Sequence, residues 1–109
     1  MKDRFLIVKN IKEFIFSIDN LVINLPRREL VIRDKLLSES MCLLEIVYIA
    51  NGSKSKDEML RILSKISMLD FYLEYLHKKG VISEKLLKKY SNMLSNISKM
   101  VYGWLKVSV

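Results

Sequence analysis

Met59-Leu60-Arg61-Ile62-Leu63-Ser64-Lys65-Ile66-Ser67-Met68-Leu69-Asp70-Phe71-Tyr72-Leu73-Glu74-Tyr75-Leu76 reads as one amphipathic helix. Apolar residues recur at Met59, Ile62, Ile66, Leu69, Leu73 and Leu76, alternating steps of three and four, which draws one stripe along a helix. Ser55-Lys56-Asp57-Glu58 supplies a capping box at its start. Lys78 and Lys79 sit where the helix dipole favours cations, and Gly80 fits the left-handed residue that ends a helix.

The same pattern extends on both sides. Downstream, Ser83 is a natural N-cap, and Leu87, Tyr90, Leu94, Ile97, Val101 and Trp104 form a second stripe. Gly103 near its end, which costs about 1 kcal/mol relative to Ala in a helix interior, would either permit a close helix approach or mark fraying. Upstream, Leu36, Leu43, Ile46 and Ala50 form a third stripe, flanked by Leu37, Leu44, Val47 and Tyr48. Ile7, Ile11, Phe14, Ile18 and Leu21 form a fourth, widened by Val8, Ile15 and Val22. Asn24-Leu25-Pro26, Asn51-Gly52-Ser53 and Gly80 break the chain between stripes. Pro26 suits the first turn of the second helix, where its missing N–H would be unpaired anyway. Helices are thus expected over approximately residues 3–23, 27–51, 55–79 and 83–106. Short connections make neighbours antiparallel, so the spacing predicts one domain over residues 1–109, an all-α, up-down four-helix bundle. Helices one and two are apolar on more than one face, and the surplus predicts a subunit interface made mainly by them, the alternative being a generously filled core with some exposed Leu.

Composition narrows the function. The chain has 109 residues, with 3 Gly and 1 Pro, too few turn residues for a sandwich or barrel. The single Cys42 excludes an intrachain disulfide and a cysteine-cluster zinc site. It lies in an apolar run and reads as a buried, inert thiol. Glu74-Tyr75-Leu76-His77 is an E-x-x-H sequence, but bundle di-iron sites need two such motifs, and His77 is the single histidine. A helix-end role for His77 is the better reading, and no metal or other cofactor is expected. Asp70 and Glu74 stand four residues apart on one helix and suit an ion pair with a neighbouring helix more than acid/base work. No phosphate loop or nucleophile elbow occurs, so neither catalytic residues nor a small-molecule substrate is expected and the chain reads as non-enzymatic. Residues 1–8 lack a signal-peptide pattern, and no stretch approaches the roughly 18 apolar residues of a membrane span. A cytoplasmic protein without membrane attachment is expected.

Charge supplies the positive signal. The net charge is +7, and residues 81–109 contribute +4 of it, from five lysines and Glu84. Lys85, Lys88, Lys89 and Lys99, with Asn92 and Asn96, lie opposite the apolar stripe of the last helix. A one-signed face gives up the i,i+4 pairs of an ordinary solvated helix and creates a field suited to phosphates. Arg27 and Arg28, near Arg33 and Lys35, form a second cluster diluted by Glu29 and Asp34. The alternative is a merely solubilising surface, since 14 of the 19 basic residues are lysine. The aromatics fall mostly at core-like positions, which argues against base stacking.

Four short stretches carry a resemblance. They are Leu25-Pro26-Arg27, Ala50-Asn51, Gly80-Val81-Ile82-Ser83, and Ile97-Ser98-Lys99-Met100-Val101-Tyr102-Gly103-Trp104-Leu105-Lys106. Nearly the whole chain resembles the accessory variability determinant (Avd) proteins of diversity-generating retroelements, relatives of the four-helix proteins encoded by 23S rRNA intervening sequences. The last stretch looks like that family's I-G-R-M-L-G-G-W-x-K ending. The resemblance implies a homopentameric barrel and a partnership with a reverse transcriptase and its template RNA, possibly as an RNA/cDNA complex. It implies no catalysis in this subunit. The departures are Asp70 and Glu74 at two family arginines, Ser98-Lys99 for G-R, Tyr102 for the first Gly of G-G-W, and Arg33 for a glycine.

Overall fold

A computed structural model describes residues 2–53 and 55–107. Four helices follow one another: α1, Lys2–Ile23; α2, Leu30–Ser53; α3, Lys56–Lys78; and α4, Glu84–Val107. Each packs against its neighbours in sequence, and α1 closes the ring against α4. The result is an all-α four-helix bundle, 43 × 21 × 19 Å.

Local chemistry sets the ends. Pro26 does not open α2. It is extended (φ −64°, ψ 154°) and opens a 3-10 turn, Arg27–Glu29, that delays α2 to Leu30. Glu29, on that turn, faces inward and is only 2% exposed. Ser55 Oγ accepts from Glu58 N at 3.4 Å, half of the anticipated capping box, while Glu58 turns to Arg61 instead of reaching back. At the other end of α3, Gly80 has φ +73°. Val81 N donates to Leu76 O and Gly80 N to His77 O, both at 2.9 Å, the reciprocal pair of a Schellman turn. Ser83 then caps α4 by accepting from Leu86 N at 3.2 Å.

The predicted stripes form the core. All six α3 positions from Met59 to Leu76 are buried, as are Ile7, Ile11, Phe14, Ile18 and Leu21 of α1. In α4, Tyr90, Leu94, Ile97, Val101 and Trp104 are buried and Leu87 only partly so. Fully burying one such side chain contributes about 1.5–3 kcal/mol relative to leaving it in water, which is why these stripes position everything else. The α1–α4 seam carries a specific tie. Tyr90 donates from its hydroxyl to Ser17 O at 2.9 Å, and its ring stands edge-on to Phe14, 84° between planes.

Several local expectations change. Gly103 is exposed, and a Cβ added there would meet nothing within 4 Å, so no helix approaches it. Cys42 is half-buried rather than enclosed. Phe16, Tyr48, Phe71, Tyr75 and Tyr102 face outward, so the aromatics are less confined to the core than their spacing suggests. The last helix carries past Lys106, its expected end, to Val107; Ser108 and Val109 lie outside the described residues. No helix among the described residues is long and apolar enough to cross a membrane.

Candidate nucleic-acid interface

The α4 stripe faces inward, so its polar face must face out. At about 100° per residue, Lys88, Lys99 and Lys106 fall within roughly 20° of one line, with Asn92 between them. Lys85 stands about 60° to one side, still on the same face. All four lysines are exposed. The row from Lys85 to Lys106 spans about 31 Å of helix at 1.5 Å per residue. Lys106 belongs to it on geometry, and the sequence signal for it was simply seven-residue spacing from Lys99.

Almost nothing neutralises the row. Glu84 Oε1 is 4.0 Å from Lys88 Nζ, and both side chains are about 70% exposed (71% and 72%). Such a pair is screened and worth little, so Lys88 remains available to a stronger anion. Lys85 and Lys99 make no ion pair with any described residue. Lys89 is turned away from the line, about 100° from Lys88, with its Nζ 5.4 Å from the centre of the Tyr90 ring. It therefore borders the row on the α1 side instead of lying in it.

Arg27 and Arg28 are not on this face. They sit on the 3-10 turn, at the end of the bundle where α4 begins. That end is built around Glu29. Lys79 Nζ donates to Glu29 Oε1 at 3.2 Å and lies 2.9 Å from Oε2, while Arg28 Nε is 3.5 Å from Oε2. The hydrogen bond to Glu29 raises the Lys79 pKa above the ordinary lysine value, with burial opposing and the Tyr75 hydroxyl adding to it. One carboxylate is thus shared by two cations, and Arg27 with Lys78 and Lys85 leaves this end positive. Arg33 is 3.9 Å from Asp34 and contributes less.

Beside the row, a groove of about 370 Å³ runs between α3 and α4, lined by Ser67, Asp70, Ser91, Asn92, Ser95 and Ser98. Asp70 finds no cation among the described residues. It accepts instead from Ser91 Oγ at 2.7 Å, and Glu74 is exposed. The expected inter-helix ion pair is therefore replaced by a hydrogen bond from a neutral hydroxyl, because α4 presents serines where it faces α3. His77 Nδ1 lies 3.1 Å from Ile82 O and ties the α3–α4 connection. Among the described residues, no three His, Cys, Asp or Glu side chains group as metal ligands would.

The arrangement can hold a polyanion along α4 by point charges. It offers no planar, bidentate fork there, since every cation in the row is a lysine, and so would read charge more than base identity.

No family model matches the chain, and no curated protein matches its sequence. Its fold is that of a protein of unknown function from the S23 ribosomal protein family of Bacteroides thetaiotaomicron. The two are 20% identical and superpose with a TM-score of 0.84 over 97% of this chain and 99% of that one.

Proposed function

We propose that this bundle is a non-enzymatic, self-associating RNA-binding protein that serves as an accessory subunit to a retroelement reverse transcriptase. The observation that carries RNA binding is the one-signed row Lys85, Lys88 and Lys99, extended by Lys106 and bordered by Lys89. Arg27 and Arg28 would add contacts at the end where the row begins. The accessory role draws its support from the Avd-like ending at residues 97–106 and from a four-helix fold that suits it. In this reading the polymerase performs the chemistry on template RNA, and the bundle gathers RNA and protein for mutagenic cDNA synthesis in the cytoplasm.

The acids at 70 and 74 favour a second reading. They make part of α3 acidic where the resembled family is basic, which suits an interaction scaffold of the rRNA intervening-sequence type without a retroelement role. Two experiments separate these. Lys88→Glu with Lys89→Glu should abolish retention of a structured RNA while helicity and assembly persist; unchanged affinity would remove the lysine face from the proposal. Co-expression with a retroelement reverse transcriptase should then yield a stable complex, and its absence despite intact RNA binding would favour the scaffold.

A further inference from the structure

Phe71 and Tyr75 stand one turn apart in an outward row on α3, 51% and 37% exposed. Their ring centres are 6.4 Å apart, and Tyr72, partly buried against the core, backs Phe71 at 6.2 Å. Phe16 is more exposed, but it pairs with no ring among the described residues. Lys79 holds the Tyr75 ring in place. Its Nζ lies 5.1 Å from the ring centre and donates to the hydroxyl at 3.5 Å, while buried Glu29 anchors the same ammonium from inside. The two exposed rings are thus positioned before anything binds them.

The rings wall a cleft of about 340 Å³, completed by Glu74, Lys78 and Lys79. It follows about 12 Å of helix, room for a planar group rather than for a partner helix laid lengthwise. Glu74 is exposed and, like Lys78, makes no ion pair with any described residue. A carboxylate accepts hydrogen bonds and gives none, so it suits an edge of N–H donors. The cleft also lies beside the lysine row. The Ser91–Asp70 hydrogen bond fixes which residues of the antiparallel α3 and α4 are level. Counting from it, Lys88 is about level with Leu73 and Lys85 with Leu76, both within the height of the cleft. Packed helix axes stand about 8–10 Å apart, so a strand held on Lys85 and Lys88 passes within a nucleotide's reach of Phe71. At about 100° per residue, Asp70 and Glu74 fall on the α4 side of both rings. Their charges keep phosphates on α4 and leave the space over α3 to bases.

We infer that this cleft takes an unpaired base of single-stranded RNA, stacked on Phe71 and Tyr75 with its amino edge on Glu74, and prefers cytosine to uracil. This rests on the RNA binding proposed above and adds to it a strand type and a base preference. Stacking itself is tolerant of sequence, because every base has a π face. The choice comes from the edge. Cytosine presents its N4 amino donor where uracil presents a carbonyl oxygen, and a carboxylate accepts from the first and repels the second. The two bases are nearly equal in size, so they stack over similar area and differ mainly at that edge. The α4 row supplies charge, and the α3 cleft supplies selection.

The test measures fluorescence anisotropy of labelled oligocytidylate and oligouridylate with the full-length protein. The wild type should bind the cytidylate tighter by about 5-fold or more. Phe71→Leu keeps apolar area and removes the π face. It should weaken both oligonucleotides by about 5-fold or more, the low end of what one stacked base contributes. Its salt slope should not change, because no phosphate contact is lost. Phe71→Trp should restore binding. Glu74→Gln, whose amide both donates and accepts, should erase the preference and keep the stacking. All three changes are at exposed positions, and circular dichroism should show helicity intact. Equal wild-type affinity for the two oligonucleotides would overturn the inference. So would unchanged binding by Phe71→Leu in a protein whose RNA affinity falls when Lys88 and Lys99 are replaced, and the lysine row would then stand alone. Should Phe71→Leu spare the oligonucleotides and break a complex with the reverse transcriptase, the cleft is a protein contact and the inference fails. Absence of any RNA binding in the wild type would overturn both this inference and the function it rests on.

Discussion

Replacing Lys88, Lys99 and Lys106 together by glutamine should reduce the salt dependence of RNA binding by a calculable amount. Each lysine that neutralises one phosphate contributes about 0.7 to the slope of log K against log salt on a single strand, and about 0.9 on a duplex. The three lie within roughly 20° of one line on α4, so a strand following the helix meets all of them. Their removal should lower the slope by about 2.1–2.7 and leave helicity unchanged. A concerted loss follows from geometry, because Lys88 gives up only a screened 4.0 Å pair with Glu84 and Lys99 gives up none among the described residues. Fluorescence anisotropy with a labelled RNA between about 50 and 200 mM salt measures the slope. The matched control replaces Lys12, Lys35 and Lys56, which lie on α1, α2 and α3 and carry the same total charge. If the control lowers the slope equally, the attraction is one of net charge, and the row has no standing as a site.

Three further outcomes follow from packing and turns. Leu73→Ala, at a fully buried position of α3, should cost about 2–5 kcal/mol and lower the urea midpoint without changing secondary structure at zero denaturant. Gly80→Ala should cost about 1–2 kcal/mol, entirely from the left-handed backbone, since nothing lies within 4 Å of the added Cβ; a neutral result in thermal melts would refute the Schellman turn. Lys65 also has a raised pKa, first through its hydrogen bond to Glu39, against an opposing burial penalty. A raised lysine stabilises fully below its unfolded value near 10.5 and loses that contribution as pH climbs through the folded value. Melting temperature should therefore fall above about pH 10.5, and Lys65→Met should flatten that limb of the profile.

Much of the fold was legible because the stripes of α3 and α4 are unambiguous. One apolar position per turn leaves a single solution for which face turns inward. The start of α2 was less legible. Pro26 satisfies both a helix N1 and a 3-10 entry, and the local sequence does not choose between them. The site was legible in part. Lys85, Lys88 and Lys99 share a face by periodicity alone, whereas Lys89 is drawn off it toward the Tyr90 ring. Phe71 and Tyr75 sit in the same apolar-rich stretch as the core stripe, and composition cannot tell their outward row from a generous interior. Asp70 looked like half of an ion pair because sequence does not show that Ser91 is its neighbour.

The Glu29–Lys79 contact gives the molecule a stapled end. The α2–α3 connection closes the opposite end covalently, so α2 and α3 form a spindle held at both tips. At the stapled tip the Pro26 turn joins α1 to α2 and the Gly80 turn joins α3 to α4. Helices α1 and α4 close on each other along the bundle: Tyr90 bonds Ser17 nearer that tip, and Ile7, Ile11, Val101 and Trp104 are buried toward the other. Lys85 lies beside the staple and Lys106 at the far end of α4, so a strand bound along the row would start next to the tip where two cations already share a buried carboxylate.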